Sequence, residues 1–225
     1  HLGHANPQIA GEAITAYAQK HPHEPLHLLK VDLDNCDCCF LEELLQIPGV
    51  HPLFIHVEVH ALVPPPILFR PKSFDEKLQD PLSELGAEHE RRGHMLPYCS
   101  LSSYVELLRP FGYELVHLIY HDAVFVQLGA ARKLQDQWPS AVAGPRSRVE
   151  LEALWFGGWY CHPLHSSNVI DRQYREEFLY DYRRWNDPNV PAEIRVSLIR
   201  EYLEAWNVSP VKYVLRLERN LSEVT

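Results

Sequence analysis

Residues 26–59 read LHLLKVDLDNCDCCFLEELLQIPGVHPLFIHVEV, and this stretch decides the fold. Its first piece, Leu26–Leu33, is short, apolar and followed by acids. That pattern predicts a buried parallel strand whose carboxyl end opens onto a site. Cys38–Leu45 has a helical pattern, Asp37 stands where it can cap it, and Pro48 and Gly49 stop it. Leu53–Val59 then reads as a second strand. Strand, helix and strand in one short stretch predict a parallel α/β unit.

Upstream, residues 5–20 predict a helix with Ile9, Ala13, Ile14 and Tyr17 on one face, ended by Pro22 and Pro25. Downstream, the run Pro64-Pro65-Pro66 has to leave the sheet, because proline cannot donate a ladder bond. Residues 60–99 read as a long, mostly irregular excursion. Ser100–Arg109 predicts another helix, with Ser100, Ser102 or Ser103 as its cap and Gly112 closing it. Tyr113–Tyr120 and Ala123–Leu128 are separated only by His121 and Asp122, which predicts an antiparallel hairpin. From about residue 135 the composition turns to Arg, Glu, Trp and Tyr. Segments 148–156, 171–185 and 191–206 read as helices, and 211–218 suits helix or strand. The chain thus divides into a sheet-bearing part, 1–134, and a helical extension, 135–225.

Of 225 residues, 46% are hydrophobic and 23% charged, which is ordinary globular usage. The net charge of -9 repels a phosphate backbone and argues against broad nucleic-acid binding. No run of about 18 apolar residues occurs, so no transmembrane helix is expected. The five cysteines, Cys36, Cys38, Cys39, Cys99 and Cys161, are odd in number, and three of them crowd into four positions. They lack the even spread of a secreted disulfide scaffold, which favours a reducing compartment such as the cytoplasm. The sequence opens on His1, and the expectation is a chain truncated, processed or cut from something longer.

Four ordered segments between residues 25 and 130 resemble one family. Leu29–Asp37 (LKVDLDNCD) resembles the K-I-D-V-E-G-x-E strand end of FkbM-type methyltransferases. Lys30 and Asp32 match there, while Asp34, Asn35 and Asp37 stand for Glu, Gly and Glu. His56–Val59 (HVEV) is similar to the next strand. Ser100–Leu115 resembles the S-L-x-x-L-x-x-L-x-x-x-G-Y-x-L helix and strand, and Asp122–Val126 (DAVFV) the N-x-x-F-V last strand.

The resemblance implies an α/β, Rossmann-like methyltransferase sheet: parallel strands, a C-terminal antiparallel hairpin, then the helical extension. It also implies S-adenosylmethionine as methyl donor and, as typical chemistry, O-methyl transfer to a small-molecule or glycan acceptor. Such enzymes hold the donor through a Gly-rich loop after the first strand. No G-x-G-x-G occurs in this sequence, and the only early glycines are Gly3 and Gly11. The resemblance therefore implies that the first three strands lie upstream of His1 or have been lost, and it assigns no cofactor-binding residue here.

Asp32 and Asp34 share a strand face, because side chains alternate with period two, and at a strand's carboxyl end they point into the crevice where α/β ligands bind. The plainer alternative is that these acids and Asp37 cap the next helix and solvate the strand end. Glu58 and His60 also share a face and suit acid and base roles, or an ion pair at the sheet end. His94, Tyr98 and Cys99 precede a helix and could line the mouth of a site. The expected catalytic acids are Asp32, Asp34 and Glu58, and Asp37, His60, His94 and Tyr98 are the expected substrate contacts.

Three other readings use the same residues. Asp32-Leu33-Asp34 resembles the first motif of HAD-type phosphatases, with Asp32 as nucleophile and Asp34 as general acid. That family also needs Ser or Thr at the next strand end, where this chain has Glu58 and His60. A D-x-D sugar-nucleotide metal site is a third, short-motif possibility. Alternatively the sheet is a non-catalytic scaffold whose extension, 135–225, binds a protein partner. Cys36, Cys38 and Cys39 with nearby histidines suggest zinc, but the crowded C-x-C-C lacks a second pair downstream, and no metal is expected. Trp155–Tyr160 (WFGGWY) reads as a Gly-broken turn that docks the extension on the sheet. Tyr174, Phe178, Tyr182 and Trp185 read as a core-facing stripe.

Overall fold

A computed structural model describes residues 6–33, 36–60, 63–72, 98–137, 147–160, 184–205 and 213–218. Its strands are β1 (Leu28–Val31), β2 (Phe54–Glu58), β3 (Ile67–Pro71), β4 (Tyr113–Ile119), β5 (Asp122–Gln127) and β6 (Tyr213–Leu217). Its α-helices are α1 (Pro7–Lys20), α2 (Asp37–Leu45), α3 (Leu101–Leu108), α4 (Leu128–Gln137), α5 (Arg148–Trp155) and α6 (Ala192–Ala205). The architecture is mixed α/β with an open sheet.

The main sheet runs β1-β2-β5-β4. β1 and β2 are parallel, with Lys30 opposite His56 and Val31 opposite Val57. The β4–β5 hairpin adds on the far side of β2, and its returning strand β5 inserts antiparallel between β2 and β4. β4 therefore runs parallel to β2 without touching it.

Alternation sorts the strands into two faces. Val31, Ile55, Val57, Ala123, Phe125 and Leu115 join the principal core with Leu41 and Leu44 of α2, Tyr104 and Leu108 of α3, and Trp155 of α5. Dispersion and dehydration along this face hold the layer together. On the other face α4 covers only a smaller cluster of Val126 and Ala131, with Phe54 and Val116 against it. A β-bulge between Leu115 and His117 shifts the register of β4. It lets both Leu115 and Leu118, three residues apart, reach the principal core, which strict alternation forbids.

The starts of α1 and α3 follow capping chemistry. Asn6 caps α1 by accepting from the Ile9 amide at 3.1 Å, with Pro7 at the first helical position. Ser100 caps α3 and is fully buried, because its hydroxyl also ties the helix to β3. It donates to the Ile67 carbonyl at 2.8 Å and accepts from the Phe69 amide at 3.0 Å.

Residues 60–99 are not all irregular. Ile67–Pro71 forms β3, and it pairs antiparallel with β6 near the chain's end, Ile67 opposite Leu217. The ambiguous segment 211–218 is thus strand over Tyr213–Leu217. The signal was missed because a two-stranded ribbon outside the main sheet has no helix-strand rhythm around it. This ribbon packs on α6 through a second core of Phe69, Trp185, Ile199, Tyr202, Leu203 and Tyr213. Trp185 is buried in it, and Tyr174, Phe178 and Tyr182 lie outside the described residues.

The Gly157-Gly158 pair forms a π-helical turn, Phe156–Tyr160, that seats on β4. The Tyr120 amide donates to the Gly158 carbonyl at 2.9 Å. A Cβ on Gly158 would stand 2.7 Å from the Leu118 carbonyl oxygen, whereas one on Gly157 would meet nothing within 4 Å. Gly158→Ala is therefore expected to cost about 1–3 kcal/mol by overpacking, and Gly157→Ala to cost nothing. Urea unfolding of the two variants checks this, and equal midpoints would refute the close docking.

Candidate functional site

The carboxyl ends of β1 and β2 meet the β4–β5 turn, and there the polar residues of the less covered face collect. Lys30 and Asp32 pair at 2.7 Å. His56 Nε2 and Asp122 Oδ1 stand 2.8 Å apart. His121 Nε2 approaches Glu58 Oε1 at 3.6 Å. The register explains the meeting: Glu58 lies opposite Asp122, and Lys30 opposite His56. Three carboxylates thus face one ammonium, a locally acidic surface at the crevice end of a parallel pair.

The electrostatics tie these groups into one cluster. The Asp32 carboxylate, by hydrogen bond and charge, raises the Lys30 ammonium above its ordinary value, and Asp122 and Glu58 add to the rise. Burial, then the charge of Glu58, raises the Tyr120 phenol. Tyr120 itself takes a left-handed backbone, φ 56°, which turns the hairpin tightly beside Glu58. Burial lowers His121 below the usual imidazole value of 6.5 and outweighs the opposing pull of Asp122 and Asp32. His121 is therefore neutral at pH 7, and its approach to Glu58 is not an ion pair there.

The sign of the pH effect follows. Below about pH 6.5 the unfolded chain protonates His121 before the folded protein does, so acidification favours unfolding. Stability is lost from about pH 6.5 downward until the lowered folded value is passed. His121→Gln is expected to show a shallower loss of urea midpoint over that range than the parent. Parallel profiles would remove His121 from the account.

The expected site residues divide. Asp32 and Glu58 belong to this cluster. Asp37 is buried behind it at the start of α2, where its carboxylate accepts from the Leu33 amide at 3.3 Å. The expected cap is not made: Cys36 holds the N-cap position with no side-chain cap bond, and Asp37, already inside the helix, bonds back to Leu33. Tyr104 of α3 links the two places: burial, then Asp37 and Glu58, hold its phenol well above the ordinary value. Its hydroxyl is buried with no hydrogen-bond partner among the described residues.

His60 is buried too. It stacks edge-on against Phe69, with Tyr98 in a similar contact, and its amide donates to the Cys99 carbonyl at 2.8 Å. His60 and Tyr98 are packed together, in contact with β3. Asp34 and His94 lie outside the described residues.

Sequence reasoning missed Lys30, His56, His121 and Asp122 as members. The signal for the first two was their period-two alignment with Asp32 and Glu58. The last two were visible only as turn residues. A separate cleft of about 530 Å³ opens at the opposite, amino-terminal ends of β1 and β2, lined by residues including Tyr17, His21, Leu26 and His51. It holds none of the acidic cluster.

Four cysteine sulfurs also converge here. Cys36–Cys39 and Cys38–Cys99 are disulfide-bonded, against the expectation that these cysteines form no disulfide framework. They sit beneath the start of α2, flanking Asp37. Among the described residues no helix is long and apolar enough to cross a membrane. No family model, curated protein or solved structure matches the chain.

Proposed function

We propose that this chain carries the second half of an S-adenosylmethionine-dependent methyltransferase sheet of FkbM type, acting on a hydroxyl acceptor. One observation carries the reading: β1-β2-β5-β4, with β5 inserted antiparallel between two parallel strands and acids gathered at the carboxyl ends of β1 and β2. That is the parallel-plus-hairpin sheet end the resemblance implies. The outer edge of β1 has no partner strand among the described residues, and its Leu28 is 56% exposed. The resemblance sets the cofactor-binding strands on that side.

The donor supplies an electrophilic methyl on a sulfonium. A cationic sulfur suits a surface of three carboxylates against one ammonium, so the residues present fit the methyl end of the donor. Glu58 is assigned as the base for its place at the end of β2, opposite Asp122 and beside the β4–β5 turn. Lys30 pairs with Asp32 at 2.7 Å, and His121 approaches Glu58 at 3.6 Å. Glu58 takes the acceptor's hydroxyl proton as the oxygen gains the methyl, and Asp32 and Lys30 position the acceptor through hydrogen bonds.

Titration calorimetry of the full-length protein with S-adenosylmethionine tests the reading. The expected result is one site per chain, with a dissociation constant of about 1 μM to 1 mM, the range of ordinary substrate constants. A folded full-length protein that releases no heat with the donor or its demethylated product would overturn it.

A further inference from the structure

We infer that Cys36, Cys38, Cys39 and Cys99, when reduced, form a closed tetrathiolate site for one zinc ion. The four sulfurs meet in one dry pocket, with Cys36, Cys38 and Cys99 at 0% exposure and Cys39 at 7%. Across the two bonded pairs, Cys36 Sγ lies 3.8 Å from Cys38 Sγ and 3.9 Å from Cys99 Sγ. A tetrahedron of zinc–sulfur bonds of ~2.3 Å has sulfurs about 3.8 Å apart. Those two distances already match edges such a site needs. Cys36, Cys38 and Cys99 also satisfy the reach of a single metal ion as a group, and Cys39, which lies outside that group of three, has to shift to complete the site.

The bonded pairs must open, and Cys39 must swing toward Cys38 and Cys99. A disulfide of ~2 Å has to widen by about 1.8 Å, which is under about 1 Å of movement per sulfur. The frame that holds them is made by backbone rather than by the sulfurs. Cys36 accepts from the amides of Cys39 and Phe40 as α2 begins, at 2.9 and 3.0 Å. Cys99 is pinned on both sides, by its carbonyl to the His60 amide and by the Ser100 amide to the Phe69 carbonyl, each at 2.8 Å. Cys36 and Cys39 stand at C-x2-C spacing, a pairing obscured by Cys38 in the crowded run, and Cys99 supplies the distant ligand that the sequence left unmatched. The amino end of α2 offsets part of the thiolate charge.

The chemistry balances with a dithiol as reductant. Two dithiol molecules each give two electrons and two protons, become cyclic disulfides, and leave four cysteine thiols. Zinc then displaces the thiol protons to solvent, with no change of oxidation state at the metal. Four protein ligands leave no open position, so the ion fastens α2 to the Tyr98–Ser100 segment and takes no part in methyl transfer.

The test reduces the full-length protein with excess dithiol, removes the dithiol without air, adds zinc alone and passes the sample through gel filtration. About one zinc per chain should remain bound, and alkylation with mass spectrometry should show Cys36, Cys38, Cys39 and Cys99 protected by the metal. Cys38→Ala should lose most of the retained zinc. The protection pattern is read on the parent, so it stands even if that variant misfolds. Reduced protein with unchanged circular dichroism that retains no zinc would overturn the site, as would zinc retained with none of the four cysteines protected. Neither outcome bears on donor binding, which calorimetry reads separately.

Discussion

Cys99→Ala should lower the stability of the oxidised protein by about 4 kcal/mol, the loop-entropy value for a crosslink spanning some 60 residues. The Cys38–Cys99 bond closes a separation of 61 residues and joins α2 to the segment that carries β3's partner Ser100. Removing it frees the denatured chain far more than losing the Cys36–Cys39 bond, whose separation is 3. Urea unfolding of parent and variant without reductant measures the difference. With dithiol and a chelator present, the two should approach within about 1 kcal/mol, the residue left by the missing sulfur in a buried place. An unchanged gap under those conditions would mean that packing, and not the crosslink, accounts for the loss.

Glu58→Gln should reduce kcat/KM for methyl transfer by about 10²–10⁴-fold, the usual contribution of a positioned base, if the proposed function holds. The amide keeps the shape and the place in β2 opposite Asp122, so the urea midpoint should hardly move. Asp32→Asn should cost less activity, because its charge is already engaged by Lys30. A Glu58→Gln protein with parental turnover would remove this carboxylate from the chemistry. A larger loss in Asp32→Asn than in Glu58→Gln would reverse their roles.

The main sheet was legible because its signals are local. LLKV is followed by Asp32 and FIHVE ends in Glu58, CCFLEELL carries helical spacing, and only His121 and Asp122 intervene between two strand patterns. Each reads from neighbours a few residues apart. The acidic site was half legible for the same reason: Asp32 and Glu58 announce themselves at strand ends. Lys30, His56 and Asp122 join them only through cross-strand register, which depends on β5 slipping between β2 and β4.

The cysteine cluster depends on a partner that the run Cys36–Cys39 gives no hint of. Cys99 arrives because Ser100 is bound to β3, and β3 was hidden in a stretch dominated by prolines. The C-x2-C pair was readable and was masked by the intervening Cys38. Trp155, Gly157 and Gly158 dock on β4 as read, but the glycines carry α5 on as a π-helical turn and do not break it.

The β3–β6 ribbon bears on how the chain reaches its folded state. Ile67 waits for Leu217, roughly 150 residues later, while the β4–β5 hairpin needs two residues between its strands. Closing so long a span costs about 2 kcal/mol more than closing one of ten residues, and distant pairings form slowly. During synthesis β3 is made long before β6, with its ladder groups facing whatever else is nearby. A ribosome stalled near residue 205 would thus hold a finished main sheet beside an unmated strand, and the emergence of Tyr213–Leu217 is what retires that hazard.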